Sequence, residues 1–302
     1  MIDAASASRL LTLGALWGGS FALVAMAVPY LGPVALIALR LGLAALFLAL
    51  VAVVLRRQLN TRRDAGHFLL VGTLNSALPF LLFAYAALTL PASLLALFNA
   101  LAPAFTAGLA ALWLRTPIAR SVALGLMLGF AGVAILSAEA ILESRVVGDV
   151  TRIASALAAA LVAPFLYGVV GVYLKARTIR TDAFDNALGA MIAASLVAAP
   201  LVPLSPPTAF PPPAIWLAAG ALGVLCTGAA YLLNFRLIAD IGPTRAMTVT
   251  YLIPLFGALW AVLLLDERIR PGLLLGGPLI LAGTALATDL LRLPGGRPPL
   301  VR

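Results

Sequence analysis

Apolar residues run through this chain in stretches of about twenty, separated by short clusters of charge or of proline and glycine. Cutting at those clusters predicts ten segments: 10–29, 33–55, 67–88, 91–114, 120–138, 152–174, 185–203, 214–238, 243–265 and 271–290. Each approaches the roughly 20 residues that carry a helix across about 30 Å of hydrocarbon. A backbone inside a bilayer must satisfy its own hydrogen bonds, so the pattern predicts an all-α integral membrane protein with ten transmembrane helices. The first segment ends in Ala25-Met26-Ala27, which resembles a signal-peptide cleavage site. It is nevertheless full length, follows only Arg9 and is interrupted by Gly18-Gly19, so it reads as a retained helix.

Composition sharpens this picture. Of the 302 residues 63% are apolar and 10% charged, against roughly 45–50% and about 25% in soluble domains. A soluble enzyme is thereby excluded. The net charge of +9 does not mark a nucleic-acid surface, because the basic residues fall between apolar runs. They report orientation instead. With the N-terminus inside, one side collects Arg9, Arg56, Arg57, Arg62, Arg63, Arg115, Arg120, Lys175, Arg177, Arg180, Arg236, Arg245, Arg292, Arg297 and Arg302. The other side holds Arg145, Arg152, Arg268 and Arg270, and Arg40 lies within a segment. That bias predicts cytoplasmic N- and C-termini.

The chain also repeats itself. A shift of 151 residues superposes Gly72 on Gly223, Pro103 on Pro254, Phe105 on Phe256, Gly125 on Gly276 and Ala131-Gly132 on Ala282-Gly283 without a gap. A shift of 150 places Trp17-Gly18 on Tyr167-Gly168. The halves are residues 1–148 and 149–302, with five predicted helices each. An odd count forces the second copy to enter from the opposite face, giving two inverted repeats, an arrangement suited to alternating access.

Several residues in this order resemble the EamA-type transporters of the drug/metabolite transporter superfamily, and among them bacterial exporters of amino acids and metabolites. They are Leu16-Trp17-Gly18-Gly19-Ser20-Phe21, Pro33 with Leu39-Arg40, Ala230-Tyr231-Leu232, Pro254-Leu255, Asp266-Glu267-Arg268 and Gly276 to Gly283. In the first half the acidic turn is replaced by Arg115-Thr116. The resemblance implies ten helices, a bacterial inner-membrane location and export of small metabolites, commonly amino acids. Lipophilic drugs and sugar- or nucleotide-type anions are the alternative substrates. The resemblance also favours a cavity position for Trp17.

Candidate transport residues follow from mid-membrane polarity. Arg40 is the one ionisable residue well inside a segment, and it reads either as a counter-charge for a substrate anion or as a snorkelling or backbone-tethering arginine. Pro103 and Pro254 are expected to kink helices 4 and 9 and to free the carbonyls of Asn99 and Thr250, with Pro79 a further kink in helix 3. Asn99 and Thr250 then line a central cavity from opposite sides, or merely satisfy their own backbones. Uncharged polar side chains extend the candidate set: Asn75, Ser76 and Tyr85 in helix 3, with Phe80 and Phe83 at the repeat positions of Tyr231 and Asn234, then Thr227, Tyr231 and Asn234 on one face of helix 8, and Thr244, Thr248 and Tyr251 in helix 9. They suit a small zwitterionic or neutral molecule. His67 is expected at the solvated cytoplasmic mouth. Glycines of helices 5 and 10 are expected to bring these helices against each other or against a second copy, a homodimer. The expected partners are substrate, lipid and that second copy, with no nucleic acid; no catalytic, metal or cofactor site is expected, because no segment carries clustered ligands or paired carboxylates.

Overall fold

Asp3 starts the first helix, its side chain accepting a hydrogen bond from the Ser6 backbone N–H at 2.7 Å. That bond satisfies a first-turn donor that the helix itself leaves unpaired. In this computed structural model, which describes residues 3–57, 64–113, 115, 117–147, 150–176, 182–204, 210–288 and 290–291, the helix is α1, Ala4–Val54. It bends once, at Gly32, where φ is 71° and ψ 160°. Pro29 and Pro33 flank the bend and remove backbone donors, and glycine alone takes such a φ without strain. The predicted break between helices 1 and 2 is therefore a kink, and the first limb begins at Ala4 rather than at residue 10.

The chain continues as α2 (Ala65–Gly72), a π-helical turn (Thr73–Ala77) and α3 (Leu78–Ala86), then α4 (Ala92–Asn99) and α5 (Ala102–Trp113). Next come α6 (Arg120–Val147), α7 (Val150–Ala176) and α8 (Ala183–Ala198) with a 3-10 turn, Ala199–Leu204. The last group is α9 (Pro213–Gly223), a second π-helical turn (Val224–Ala229), α10 (Ala230–Ile241), α11 (Pro243–Ala246), α12 (Val249–Leu265) and α13 (Pro271–Ala287). No strand occurs among the described residues. Among the described residues seven helical stretches, α1 counted once, are long and apolar enough to cross a membrane, and α12 and α13 are shorter apolar helices. The sequence pattern placed Glu139 in a loop; α6 instead runs through it to Val147. Arg62, Arg63, Arg177, Arg180, Arg292, Arg297 and Arg302 of the charge count lie outside the described residues.

The inverted repeat is visible in how glycines let helices approach. A Cβ built on Gly18 in α1 would stand 2.7 Å from the Cβ of Phe256 in α12, and one on Gly168 in α7 would stand 2.9 Å from the Cβ of Phe105 in α5. These are the same contact made twice, since Gly18 and Phe105 are the sequence counterparts of Gly168 and Phe256. Between α6 and α13 the contact is reciprocal. A Cβ on Gly125 would meet Gly283 O at 2.4 Å, one on Gly283 would meet Gly125 O at 2.4 Å, and Gly132 and Gly276 face each other in the same way. Of the two placements open for these glycines, packing on each other is the one this chain contains.

Both proline-bearing helices are interrupted, but not at matched residues. The first break lies at Ala100–Leu101, between α4 and α5, and the second at Met247–Thr248, before α12. At the first break a buried Thr284 hydroxyl from α13 donates to Ala100 O at 2.8 Å. Removing it strands a buried carbonyl, so Thr284→Val is expected to cost about 1–3 kcal/mol. Thermal unfolding in detergent checks this, with Thr106→Val as the milder comparison because that hydroxyl bonds only to Ala102 O of its own helix.

Candidate functional site

The middle of the bundle is organised by the two π-helical turns. They are repeat-equivalent, since Thr73–Ala77 moved by 151 residues falls within Val224–Ala229. Such turns add a residue to a helix and break the regular ladder, often where function needs it. In the first half Pro79, buried just after the turn, lacks an N–H and leaves the Asn75 carbonyl without its usual donor. The second half has Ala230 there and uses a side chain instead: Thr227 Oγ1 donates to Leu222 O, five residues back, at 2.7 Å.

Arg40, on the second limb of α1, reaches this region. It is 7% exposed. Its Nε donates to Thr227 Oγ1 at 3.0 Å, and its guanidinium carbon stands 3.9 Å from the centre of the Phe80 ring. Tyr167 of α7, Tyr231 of α10 and Cys226 complete its electrostatic surroundings. Among the described residues no carboxylate pairs with it; the ion pairs there are Arg9–Asp240, Arg57–Asp182 and Arg236–Asp240. The arginine thus neither snorkels outward nor tethers a backbone carbonyl. It crosses from the first half to a hydroxyl of the second.

Close helix packing fixes that reach. A Cβ on Gly223 would meet the Cβ of Leu43 at 2.5 Å and Arg40 O at 2.9 Å, so α9 lies directly on the backbone that carries Arg40. The symmetry-related contact is Gly72 against Ala190 O, at 2.4 Å, and the Cβ of Ala193, at 3.1 Å. The Tyr231 hydroxyl lies beside Asn75 and Ser76. Ser76 Oγ itself meets no partner at hydrogen-bonding geometry, and among the described residues it is the one sealed side-chain polar atom of which this is true.

Of the residues singled out from sequence, the structure brings Arg40, Asn75, Thr227 and Tyr231 into one cluster, with Asn234 half-buried on the next turn of α10. Trp17 is half-buried on α1, packed against the apolar core of α4 and α7 and that of α10. Asn99 is half-buried as the last residue of α4, beside the break that precedes the buried Pro103, and Pro254 is buried within α12. The others have local partners. Thr248 and Thr250 donate to Arg245 O (2.7 Å) and Met247 O (2.8 Å) of the preceding turn. Tyr251 pairs with Thr288 at 2.8 Å. Tyr85 is 42% exposed and its hydroxyl lies 2.8 Å from Ser155 Oγ at the start of α7, away from the cluster.

No curated protein matches this sequence. One solved crystal structure, described only as that of a protein, is similar at 20% identity with a TM-score of 0.65, covering 96% of this chain and 99% of the other. That likeness concerns the fold. The model of the EamA-like transporter family matches residues 7–138 and 154–288, one match per half. This chain belongs to the EamA-like transporter family. It is therefore a membrane transporter of the drug/metabolite transporter superfamily, a family of transporters and not of enzymes.

The EamA halves are tied to each other at both ends of the bundle. At the end carrying Arg9, that residue bonds Asp240 at 2.7 Å and Arg57 pairs with Asp182. Burial opposes ionisation of Asp182, but the Arg57 guanidinium and the backbone N–H groups of Phe184 and Ala183 outweigh it and hold its carboxyl below the usual range. Since protonation is what would undo the tie, it persists at neutral pH and is lost only in acid below ordinary carboxylate titration. His67, expected to be solvated, is half-buried and lies 2.8 Å from Asn186 Oδ1 and 3.1 Å from the Tyr173 hydroxyl, both in the second half.

At the opposite end the acidic turn of the EamA resemblance has a defined task. Glu267 accepts from the N–H groups of Ala92 (2.6 Å) and Ser93 (3.3 Å) and from the Ser93 hydroxyl (2.8 Å), capping α4 of the other half. Glu139 accepts from Gly272 N–H (3.0 Å) at the start of α13. Both place a carboxylate where a helix presents unpaired donors and a positive dipole end. They border a cleft of about 490 Å³ together with Leu136, Arg268 and Arg270. Tyr167 is the member of the central cluster that the candidate set from sequence lacked. Phe80 and Ser76 carry a signal, because the 151 shift lays them on Tyr231 and Thr227.

Proposed function

We propose that this protein is a ten-helix inverted-repeat exporter of small metabolites, namely amino acids, with both termini in the cytoplasm of a bacterium and the substrate bound at the Arg40 cluster. The observation that carries the reading is a buried, acid-free arginine reaching from the first half to Thr227 of the second, at the junction of two repeat-equivalent π turns. Interrupted helices at the interface of inverted repeats are where secondary transporters place their substrates. Phe80, Tyr167, Tyr231 and Asn75 surround the arginine with aromatic faces and neutral hydrogen-bonding groups, the lining a small zwitterion needs. The ties at the two ends, Arg9–Asp240 and Arg57–Asp182 against Glu267 on α4, would open in turn as the halves rock.

Counterflow of labelled neutral amino acids in proteoliposomes tests this. Saturable exchange is expected in the wild type. Tyr231→Ala should raise the half-saturation concentration about tenfold, the loss of roughly 1.4 kcal/mol of contact. Tyr85→Ala, at the exposed site beside Ser155, should leave it unchanged. Flux confined to lipophilic cations or to phosphorylated anions would overturn the amino-acid reading.

A further inference from the structure

The central cluster breaks the twofold symmetry of its own scaffold. Against Gly223 stand Arg40 O and the Leu43 Cβ; against Gly72 stand Ala190 O and the Ala193 Cβ. Ala190 and Ala193 are Arg40 and Leu43 moved by 150 residues, so the second half has a methyl group where the first has a guanidinium. The hydroxyls follow suit. Thr227 receives Arg40, whereas its counterpart Ser76, wholly buried, receives nothing at hydrogen-bonding geometry. Of the Arg40 donors only Nε bonds to a described residue. Its terminal nitrogens, also without such a partner, are not sealed in, since Ser76 Oγ is the one atom of that kind among the described residues. The site therefore holds one fixed positive charge, whose terminal nitrogens bond to no described residue, with the Tyr231 hydroxyl among its neighbours and no arginine at the matching position of the second half.

We infer that Arg40 binds the carboxylate of the transported molecule through its terminal nitrogens, and that the single guanidinium makes the site selective for monocarboxylates over phosphates and over amines. This deepens the transporter reading above and rests on it. A guanidinium fork fits the two oxygens of a carboxylate. A charge buried in mid-membrane with one neutral hydroxyl and one ring face as partners lacks its counter-ion, and a monocarboxylate supplies one negative charge for one positive. A phosphate carrying about two charges would stay half-compensated. Phe80 and Tyr167 can then flank the apolar or ammonium-bearing remainder of the ligand.

Ligand-induced thermal stabilisation of the full chain in detergent tests the assignment, using four probes that share one skeleton. These are phenylalanine, 3-phenylpropanoate, phenylalaninamide and phenethylamine, with benzoate and the other neutral amino acids as further carboxylates. Carboxylates are expected to bind at least tenfold more tightly than the amide and the amine. Arg40→Gln should remove that preference and Arg40→Lys should retain part of it. The unfolding temperature of each unliganded variant shows that it folds, and Arg40→Met provides a second neutral replacement. Carboxylate preference that survives in folded Arg40→Gln and Arg40→Met overturns the assignment and leaves the exporter reading standing. Stabilisation by amines alone, or by no carboxylate of the panel, overturns it as well. Arg40-dependent binding of benzoate and 3-phenylpropanoate without any amino acid would keep the assignment and remove the amino-acid reading.

Discussion

Gly125→Leu is expected to abolish accumulation of folded protein. The first atom of any side chain at this position would lie 2.4 Å from Gly283 O, 2.7 Å from Ala287 N and 2.9 Å from the Ala287 Cβ. Two of these are backbone atoms of α13, so no rotamer change relieves the overlap. The whole helix must move, and with it the reciprocal contact of Gly132 with Gly276 O. Ordinary overpacking of a core costs roughly 1–3 kcal/mol because side chains adjust; here they cannot, and net stabilities of about 5–15 kcal/mol leave little in reserve. In a bilayer the loss is compounded, since helices associate there through close packing and not through exclusion of water. Size-exclusion profiles and thermal unfolding of detergent-extracted protein check the expectation, with Gly220→Leu as the control, because a Cβ on Gly220 meets nothing within 4 Å. A monodisperse Gly125→Leu protein with unchanged unfolding temperature would refute the α6–α13 contact.

The second large effect is expected from Gly223→Ala, and it falls on function. Its Cβ would stand 2.5 Å from the Leu43 Cβ and 2.9 Å from Arg40 O, so the second limb of α1 is pushed away at the residue that carries the guanidinium. Displacements of about 1 Å cost up to roughly a hundredfold where function depends on placed groups, and counterflow should fall at least tenfold. Gly72→Ala is the matched comparison. It collides harder, at 2.4 Å from Ala190 O, but with a segment that bears no arginine. It should therefore lower the unfolding temperature more than Gly223→Ala does and disturb ligand preference less. Equal loss of ligand preference in the two variants would show that helix packing in general, and not the position of Arg40, governs the site.

Much of the architecture could be read from residues alone. Segment lengths, the break before Pro33 and the 151-residue repeat follow from the requirement that each crossing be about twenty apolar residues satisfying its own backbone. The small-residue stripes of α6 and α13 were legible too, but that they meet each other and not a second copy was decided by the structure. The site was legible only in part. Arg40, Asn75, Thr227 and Tyr231 stood out singly, as a charge in helix 2 and as polar residues of helices 3 and 8, and nothing in the sequence joined them into one cluster. Thr248, Thr250, Tyr251 and Tyr85 looked the same in sequence but turn to nearby carbonyls or hydroxyls. A hydroxyl in a helix can satisfy itself on its own backbone, and the sequence carries no mark of which choice it makes.

The acidic turn is instructive in the same way. Its replacement by Arg115-Thr116 in the first half weakens a role in transport, and the task the structure shows is structural: Glu267 caps α4 of that other half. Its partner is a set of backbone N–H groups, which every residue type provides, so no covariation or spacing announces it.

The sequence by itself determined that this chain is an apolar, helical membrane protein built of two repeats, because hydrocarbon imposes length, hydropathy and backbone self-sufficiency on each segment separately. Only the tertiary structure decided that Arg40 meets Thr227 and not its repeat counterpart Ser76. The extra residue of each π turn rotates the helix beyond it out of regular phase, and contacts between halves depend on that phase and not on the order of residues along either one.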